Sequence, residues 1–303
     1  MPTPESRTDA GRRWAILSVA GSGALAILNT SAGLISGSTS VTAAGLEFAG
    51  DVLASLIVFL GMLMASRPAD DDHPYGHGRF EILSGLLVGL ILVIAGLAIC
   101  AHSIGKLAGP PTLPLAGALW APLIAMFVKA FLAVSKFRVG RRISSAALVA
   151  DAWNDAVDIV SAFTAMAALT LTVLDPVRFL RADPIGGFAV GIIVILTGLR
   201  VVRDASLELT DTMPPPGMLA EIRRKAVEVP RVDGVEKCFA RKTGFQYHVD
   251  MHIEVDPDMT VAESHLLGHR VQDHIIRKVP FVAGVLVHIE PRPAGRIENA
   301  ESD

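Results

Sequence analysis

Glu47 and Asp51 stand four residues apart inside one long apolar run, and Asn154 and Asp158 repeat that spacing inside another. Four residues is about one helical turn, so in a helix each pair projects from one face with its oxygen-bearing groups stacked along the axis. Asp151 and Asp155 broaden the second face. An ionisable side chain at membrane depth costs roughly 3 kcal/mol or more unless it is paired or solvated, and so marks a functional position by default. Two such helices facing each other would offer one cation four oxygen-bearing side chains. The alternative is that these groups cap helix ends or bond to small residues on neighbouring helices. Two paired sets weigh toward ligands, because a buried carboxylate cluster with no cation repels itself and neutralises. A second concentration of ligands lies between Asp70 and Glu81, where His73 and His77 are four apart and Asp70 precedes His73 by three. Imidazole and carboxylate at that spacing can converge on a metal ion, and Pro74 and Gly76 favour a turn there. Taken alone, two histidines in a loop are more often solvated side chains than ligands.

The elements that must position these groups follow from hydropathy. Apolar residues make up 51% of the chain and charged ones only 19%, and the charges are clustered. From Trp14 to about Arg200 long apolar runs alternate with short polar stretches, whereas from Asp204 onward the sequence is ordinary globular sequence, which sets a boundary near residues 204–212. Six segments reach the ~20 apolar residues that a helix needs to cross hydrocarbon. They run from Trp14 to Ile35, Val41 to Met64, Ile82 to Ile104, Leu113 to Ser135, Ser145 to Val173 and Pro184 to Val201. Residues 1–13 form an N-terminal segment and the first run a retained span, too long for a signal peptide and without a small-residue cleavage site. Arg7, Arg12, Arg13, Arg67, Arg79, Lys136, Arg138, Arg141, Arg142, Arg200 and Arg203 fall on one side, against Lys106, Arg178 and Arg181 on the other. Both termini are therefore expected in the cytoplasm. Lys129, about two turns from the basic loop, is expected to snorkel toward that interface rather than to serve transport.

The C-terminal part, residues 209–292, reads as helix, strand, strand, helix, strand, followed by a disordered tail over 293–303. Leu219 to Val227 forms the first helix. Phe245, Tyr247, Val249, Met251, Ile253 and Val255 alternate with Gln246, His248, Asp250, His252 and Glu254, the period of a strand covered on one face. Val261 to Lys278 is the second helix, bearing His265, His269 and His274, and Gly284 to Ile289 the closing strand with His288 and then Glu290.

Glu47-x-x-x-Asp51, the string from His73 to Glu81 and Asn154-x-x-x-Asp158, at these separations, resemble the motifs of the cation diffusion facilitator family. The resemblance extends from the first span to His288. It implies six transmembrane helices with a C-terminal α+β ferredoxin-like cytoplasmic domain, a homodimer in the lipid bilayer, and exchange of a divalent cation for protons by alternating access. It places the transport site at Glu47, Asp51, Asn154 and Asp158, and metal positions at His252, His265, His288 and Glu290 at the dimer interface, with Glu236 where a further His is common. Arg79 and Asp211 match positions that pair membrane part and tail. Zinc and cadmium exporters of the family carry Asp in place of Glu47 and His in place of Asn154. An all-oxygen site suits Mn²⁺ or Fe²⁺, with Zn²⁺ or Co²⁺ as the other candidates, and Asp155 could supply the charge that Asn154 lacks.

The net charge of -3 gives no surface for nucleic acid. Cys100 and Cys238 make neither a disulfide framework nor a zinc pattern, and no prosthetic group is expected; the metal is cargo and a possible regulator. No hydrolase or phosphate-loop motif supports a membrane enzyme. The remaining rival is a metal-binding scaffold or regulator that does not transport. The compact loops and the lack of a targeting segment suit a bacterial plasma membrane.

Overall fold

The computed structural model describes residues 4–110, 113–143, 146–244 and 246–293. Its helices are α1 (Pro4–Ser36), α2 (Thr39–Ala65), α3 (Arg79–Ala108), α4 (Trp120–Ile143), α5 (Ala146–Leu174), a single turn α6 (Pro176–Phe179) and α7 (Ala182–Leu209). There follow α8 (Pro216–Val227), β1 (Gly234–Thr243), β2 (Gln246–Val255), α9 (Val261–Lys278) and β3 (Val282–Pro291). Among the described residues, six helices are long and apolar enough to cross a membrane. The chain makes an integral membrane protein with six membrane helices and a C-terminal α+β ferredoxin-like domain.

The fourth span starts later than its hydropathy suggests. Residues 113–115 are extended and Ala116–Leu119 form a 3-10 turn before α4 begins. Pro114 lacks an N–H and pushes Leu113 away from helical angles, whereas Pro122 in the first turn of α4 is harmless, since no intrahelical bond is due there. The turn α6 was not expected from hydropathy; Asp175 caps it by accepting from the Arg178 N–H at 3.1 Å, with Pro176 at its first position. Phe245 and the tail 294–303 lie outside the described residues, as does Ser145.

Two compact units result, one from the chain up to Phe59 with Gly85–Val202, the other from Leu60–Ser84 with the chain from Arg203 onward. In the first, Leu25, Ala44, Phe48, Ala125, Ala162 and Ala165 join α1, α2, α4 and α5 in one buried cluster. Alanines there let backbones approach closely, which is how helices associate when the solvent is itself apolar. Ile94, Phe127 and Leu196 are exposed, as lipid-facing side chains would be. α2 lacks an acidic residue in its own first turn. Its start is capped by Asp183 of α7, whose carboxylate accepts from Ser38 Oγ (2.6 Å), Thr39 N (2.6 Å) and Ser40 Oγ (2.6 Å).

In the second unit, β1 pairs antiparallel with β2 and β2 parallel with β3. The alternation along β2 buries Val249, Met251 and Ile253 together with Ile222 of α8 and Leu267, Val271 and Ile275 of α9. α9 starts in a reciprocal cap, Thr260 Oγ1 accepting from the Glu263 N–H while Glu263 accepts from the Thr260 N–H at 3.1 Å.

Asp183→Ala would take the acceptor from the buried Thr39 N–H and the strong acceptor from Ser38 Oγ, while Ser40 Oγ would keep the Ala165 carbonyl at 3.2 Å. It is expected to destabilise the protein by about 3 kcal/mol or more, read as a lower unfolding temperature of the detergent-solubilised protein.

Candidate functional site

The acids of α2 and α5 converge, and the group between them is Lys129. Its Nζ lies 2.6 Å from Asp158 Oδ2, 3.2 Å from Asp51 Oδ2 and 3.3 Å from Asp155 Oδ1, and it donates to Ser22 Oγ at 2.9 Å. At 1% exposure the side chain does not snorkel to an interface, contrary to the expectation from its distance to the basic loop. Three carboxylates at hand stabilise an ammonium far better than a stretch toward distant water would. Lys136, read as a loop cation, is also buried, because α4 continues to Ile143. It pairs with Asp151 Oδ2 at 2.8 Å and with Asp155, and donates to Ser18 Oγ at 2.9 Å. Asp155 thus bridges both lysines. Lys129 and Lys136 are seven residues apart, two turns, so they sit on one face of α4 opposite the acids of α5.

Glu47 is buried, with one oxygen accepting from Ser161 Oγ at 2.8 Å and the other, Oε2, without a hydrogen-bond partner among the described residues. A cavity of about 260 Å³ is lined by Ser22, Asp51, Lys129, Asp151, Asn154 and Asp155, among others. Glu47 and Asp158 do not line it, so Lys129 stands between the cavity and Asp158. Asn154 shares the cavity wall with Asp51 and Asp155, and among the described residues no His or Cys is part of that wall.

Asp70, His73 and His77 come together as their spacing suggests, with ligand atoms within 4.8 Å of one another. Asp70 Oδ1 lies 3.1 Å from His73 Nδ1 and Asp70 Oδ2 3.4 Å from His77 Nε2, while His77 Nδ1 is 3.0 Å from the Pro68 carbonyl. The His73 backbone N–H, donating at 2.7 Å, is the main reason that the Asp70 carboxyl is held below the usual range, so it stays ionised. The turn closes through Gly76 N–H to the His73 carbonyl at 2.9 Å, and Gly76 has a φ of 79°, a left-handed conformation that favours glycine. Gly78 answers a different need: a Cβ there would sit 2.5 Å from the Thr243 carbonyl oxygen at the end of β1. Arg79 and Asp211 pair at 2.8 Å, both half-exposed, a contact worth little by itself.

On the sheet, His252 of β2 and His288 of β3 are register partners, and Glu290 follows His288 by two on the same face. His252 Nδ1 is 2.6 Å from Glu290 Oε1 and 3.9 Å from Glu236, and the His252 and His288 rings are 4.7 Å apart. His252, His288 and Glu290 form a second group able to hold a metal ion. His265 is not with them; it lies 3.2 Å, Nε2 to Nε2, from His269 on α9. The reason is parity: Val249, Met251 and Ile253 face the helices, so His252 points to the opposite side of the sheet, away from α9.

Asp155→Ala strips both lysines of a shared partner and leaves buried positive charge. It is expected to destabilise the protein by about 3–5 kcal/mol, measured by thermal unfolding in detergent, whereas Asp151→Ala at the half-exposed end should cost clearly less.

The sequence pattern of the cation efflux transmembrane domain matches residues 15–210, and that of the cation efflux protein cytoplasmic domain matches residues 214–292. The manganese efflux system protein MneP of Bacillus subtilis (strain 168) is 28% identical over 263 residues, covering 86% of this chain and 89% of that protein. The uncharacterized transporter YdbO of the same organism is 32% identical over 286 residues, 93% of this chain and 96% of that protein. The magnetosome protein MamB of Magnetospira sp. (strain QH-2) is 28% identical over 260 residues, 86% and 88%. The solved MamM-CTD is 32% identical and covers 25% of this chain and 96% of that one, with a TM-score of 0.25. With its membrane helices and its C-terminal domain both matched, the chain belongs to the cation diffusion facilitator family of cation efflux proteins.

Proposed function

We propose that this protein exports a divalent metal ion, Mn²⁺ or Fe²⁺ before Zn²⁺ or Co²⁺, from the cytoplasm in exchange for protons, as a homodimer that alternates access to its membrane site. The observation that carries the reading is the convergence of Asp51, Asp155 and Asp158 on one point at the head of a cavity, where a cation already resides. The buried and unpartnered Oε2 of Glu47 is a further oxygen in want of a cation. Every candidate donor here is oxygen, which suits hard or borderline dications with little demand for nitrogen or sulfur. Kinship with a manganese efflux system protein points the same way. Protons and metal would compete for the same carboxylate oxygens, so metal binding would release protons and protonation would expel metal. The Asp70–His73–His77 and His252–His288–Glu290 groups then serve as cytoplasmic capture or sensing sites, and Asn154 adds an amide oxygen on the wall of the membrane cavity.

One observation favours a second reading, a metal-binding scaffold that does not transport: the Lys129 ammonium already pairs with Asp51, Asp155 and Asp158 at the point a metal would take. Flux separates the two. In proteoliposomes with an acidic lumen, Mn²⁺ uptake is expected, reduced by Asp51→Ala and by Asp158→Ala to the level of protein-free vesicles. Uptake of Zn²⁺ in preference to Mn²⁺ would refute the ligand argument, and uptake indifferent to the pH gradient would remove proton exchange. Absence of flux for every ion would leave the scaffold. Independently, His252→Ala or His288→Ala should each abolish metal binding at the sheet, seen by titration calorimetry, whereas His265→Ala should not.

A further inference from the structure

The transport site required by the proposed function is filled by a charge of the protein's own. A dication is held by carboxylate oxygens at roughly 2.0–2.6 Å, yet Asp51 Oδ2 and Asp158 Oδ2 are the atoms that Lys129 Nζ contacts at 3.2 and 2.6 Å. Metal and ammonium cannot both occupy that point. We propose that Lys129 is a tethered competitor for the transported ion: its ammonium seals the empty site, and cargo loads only by displacing it. The inference rests on the transport reading.

Three features support an exchange rather than a permanent lock. First, Lys129 and Asp51 both line the cavity, while Asp158 does not, so an ion arriving through the cavity meets the ammonium before it can reach Asp158. Second, the ammonium has partners besides Asp51 and Asp158 to move toward: Ser22 Oγ at 2.9 Å, Asp155 Oδ1 at 3.3 Å and the Phe48 ring, whose centroid is 5.2 Å away. Third, the rest of the charge does not need to move, because Lys136 keeps Asp151 and the other Asp155 oxygen paired.

The consequence is selection by charge. The tether holds the ammonium at an effective concentration of about millimolar or higher; a free monovalent cation brings no more charge than the group it would replace, whereas a dication interacts with the same oxygens about twice as strongly.

The test is the dependence of initial Mn²⁺ flux on concentration at fixed pH for native protein, Lys129→Gln and Lys129→Arg. Removing the competitor should lower the apparent KM of Lys129→Gln by about tenfold, the scale of one close charge pair, while its maximal rate falls. Lys129→Arg, which keeps the charge and can grip two carboxylate oxygens, should raise KM. Damage to packing would raise KM in both, so an unchanged or higher KM in Lys129→Gln overturns the proposal. Should Lys129→Gln not fold, amine-reactive labelling of the native protein with mass-spectrometric readout replaces it. Mn²⁺ should raise modification of Lys129 relative to Lys136, and equal labelling with and without metal overturns the proposal. Should the native protein bind Mn²⁺ but move none, the transport reading falls while the labelling still reports displacement.

Discussion

Lys129 and its three carboxylates tie α4 to α2 and α5 inside the six-helix unit. Carboxylates inside hydrocarbon need a cation, and the cation must be close, because a medium of low dielectric amplifies attraction and repulsion alike. That requirement brings α4 against α5 and α2, sets Ser18 and Ser22 of α1 beside the lysines, and makes Asp155 the member that neither lysine can spare. Alanines at 44, 125, 162 and 165 then close the remaining distance. Helix packing and charge placement are here the same problem.

The other two ligand groups are positioned by backbone geometry instead. A left-handed glycine and a Pro-initiated turn fold Asp70, His73 and His77 onto each other over eight residues of chain, whereas His252 and His288 meet only because two strands far apart in sequence pair in parallel with a particular register. A one-residue slip in that pairing would turn the β3 ligands toward the helices and scatter the group.

These differences explain how much of the protein was readable from its residues. Spans, the helix–strand order of the C-terminal domain and the loop cluster depend on local periodicity, and Val261–Lys278 is bounded by its own cap. The fate of Lys129 was not local. Considered alone it looked like an interfacial lysine; the available signal was the seven-residue spacing to Lys136, matched by Asp151, Asp155 and Asp158 and by Ser18 and Ser22, which together describe three complementary helix faces. The resemblance groups His265 with His252, His288 and Glu290 at a dimer interface; within one chain, strand parity turns His252 to the face of the sheet away from α9, and His265 stands on α9 beside His269. The start of α4 is not legible in hydropathy, which does not register that Pro114 disfavours helical angles at Leu113, where the apolar run begins.

The borrowed cap at the start of α2 has mechanical meaning. Asp183 grips Ser38, Thr39 and Ser40 through short bonds, so that end of α2 is a fixed point on α7. Asp51 lies twelve residues further along α2, a lever arm of about 18 Å at ~1.5 Å per residue. A tilt of only about 10° around that anchor would carry Asp51 some ~3 Å sideways. That displacement equals the 3.2 Å separating its carboxylate from the Lys129 ammonium, so a rocking motion too small to disturb the anchor would suffice to uncouple the pair.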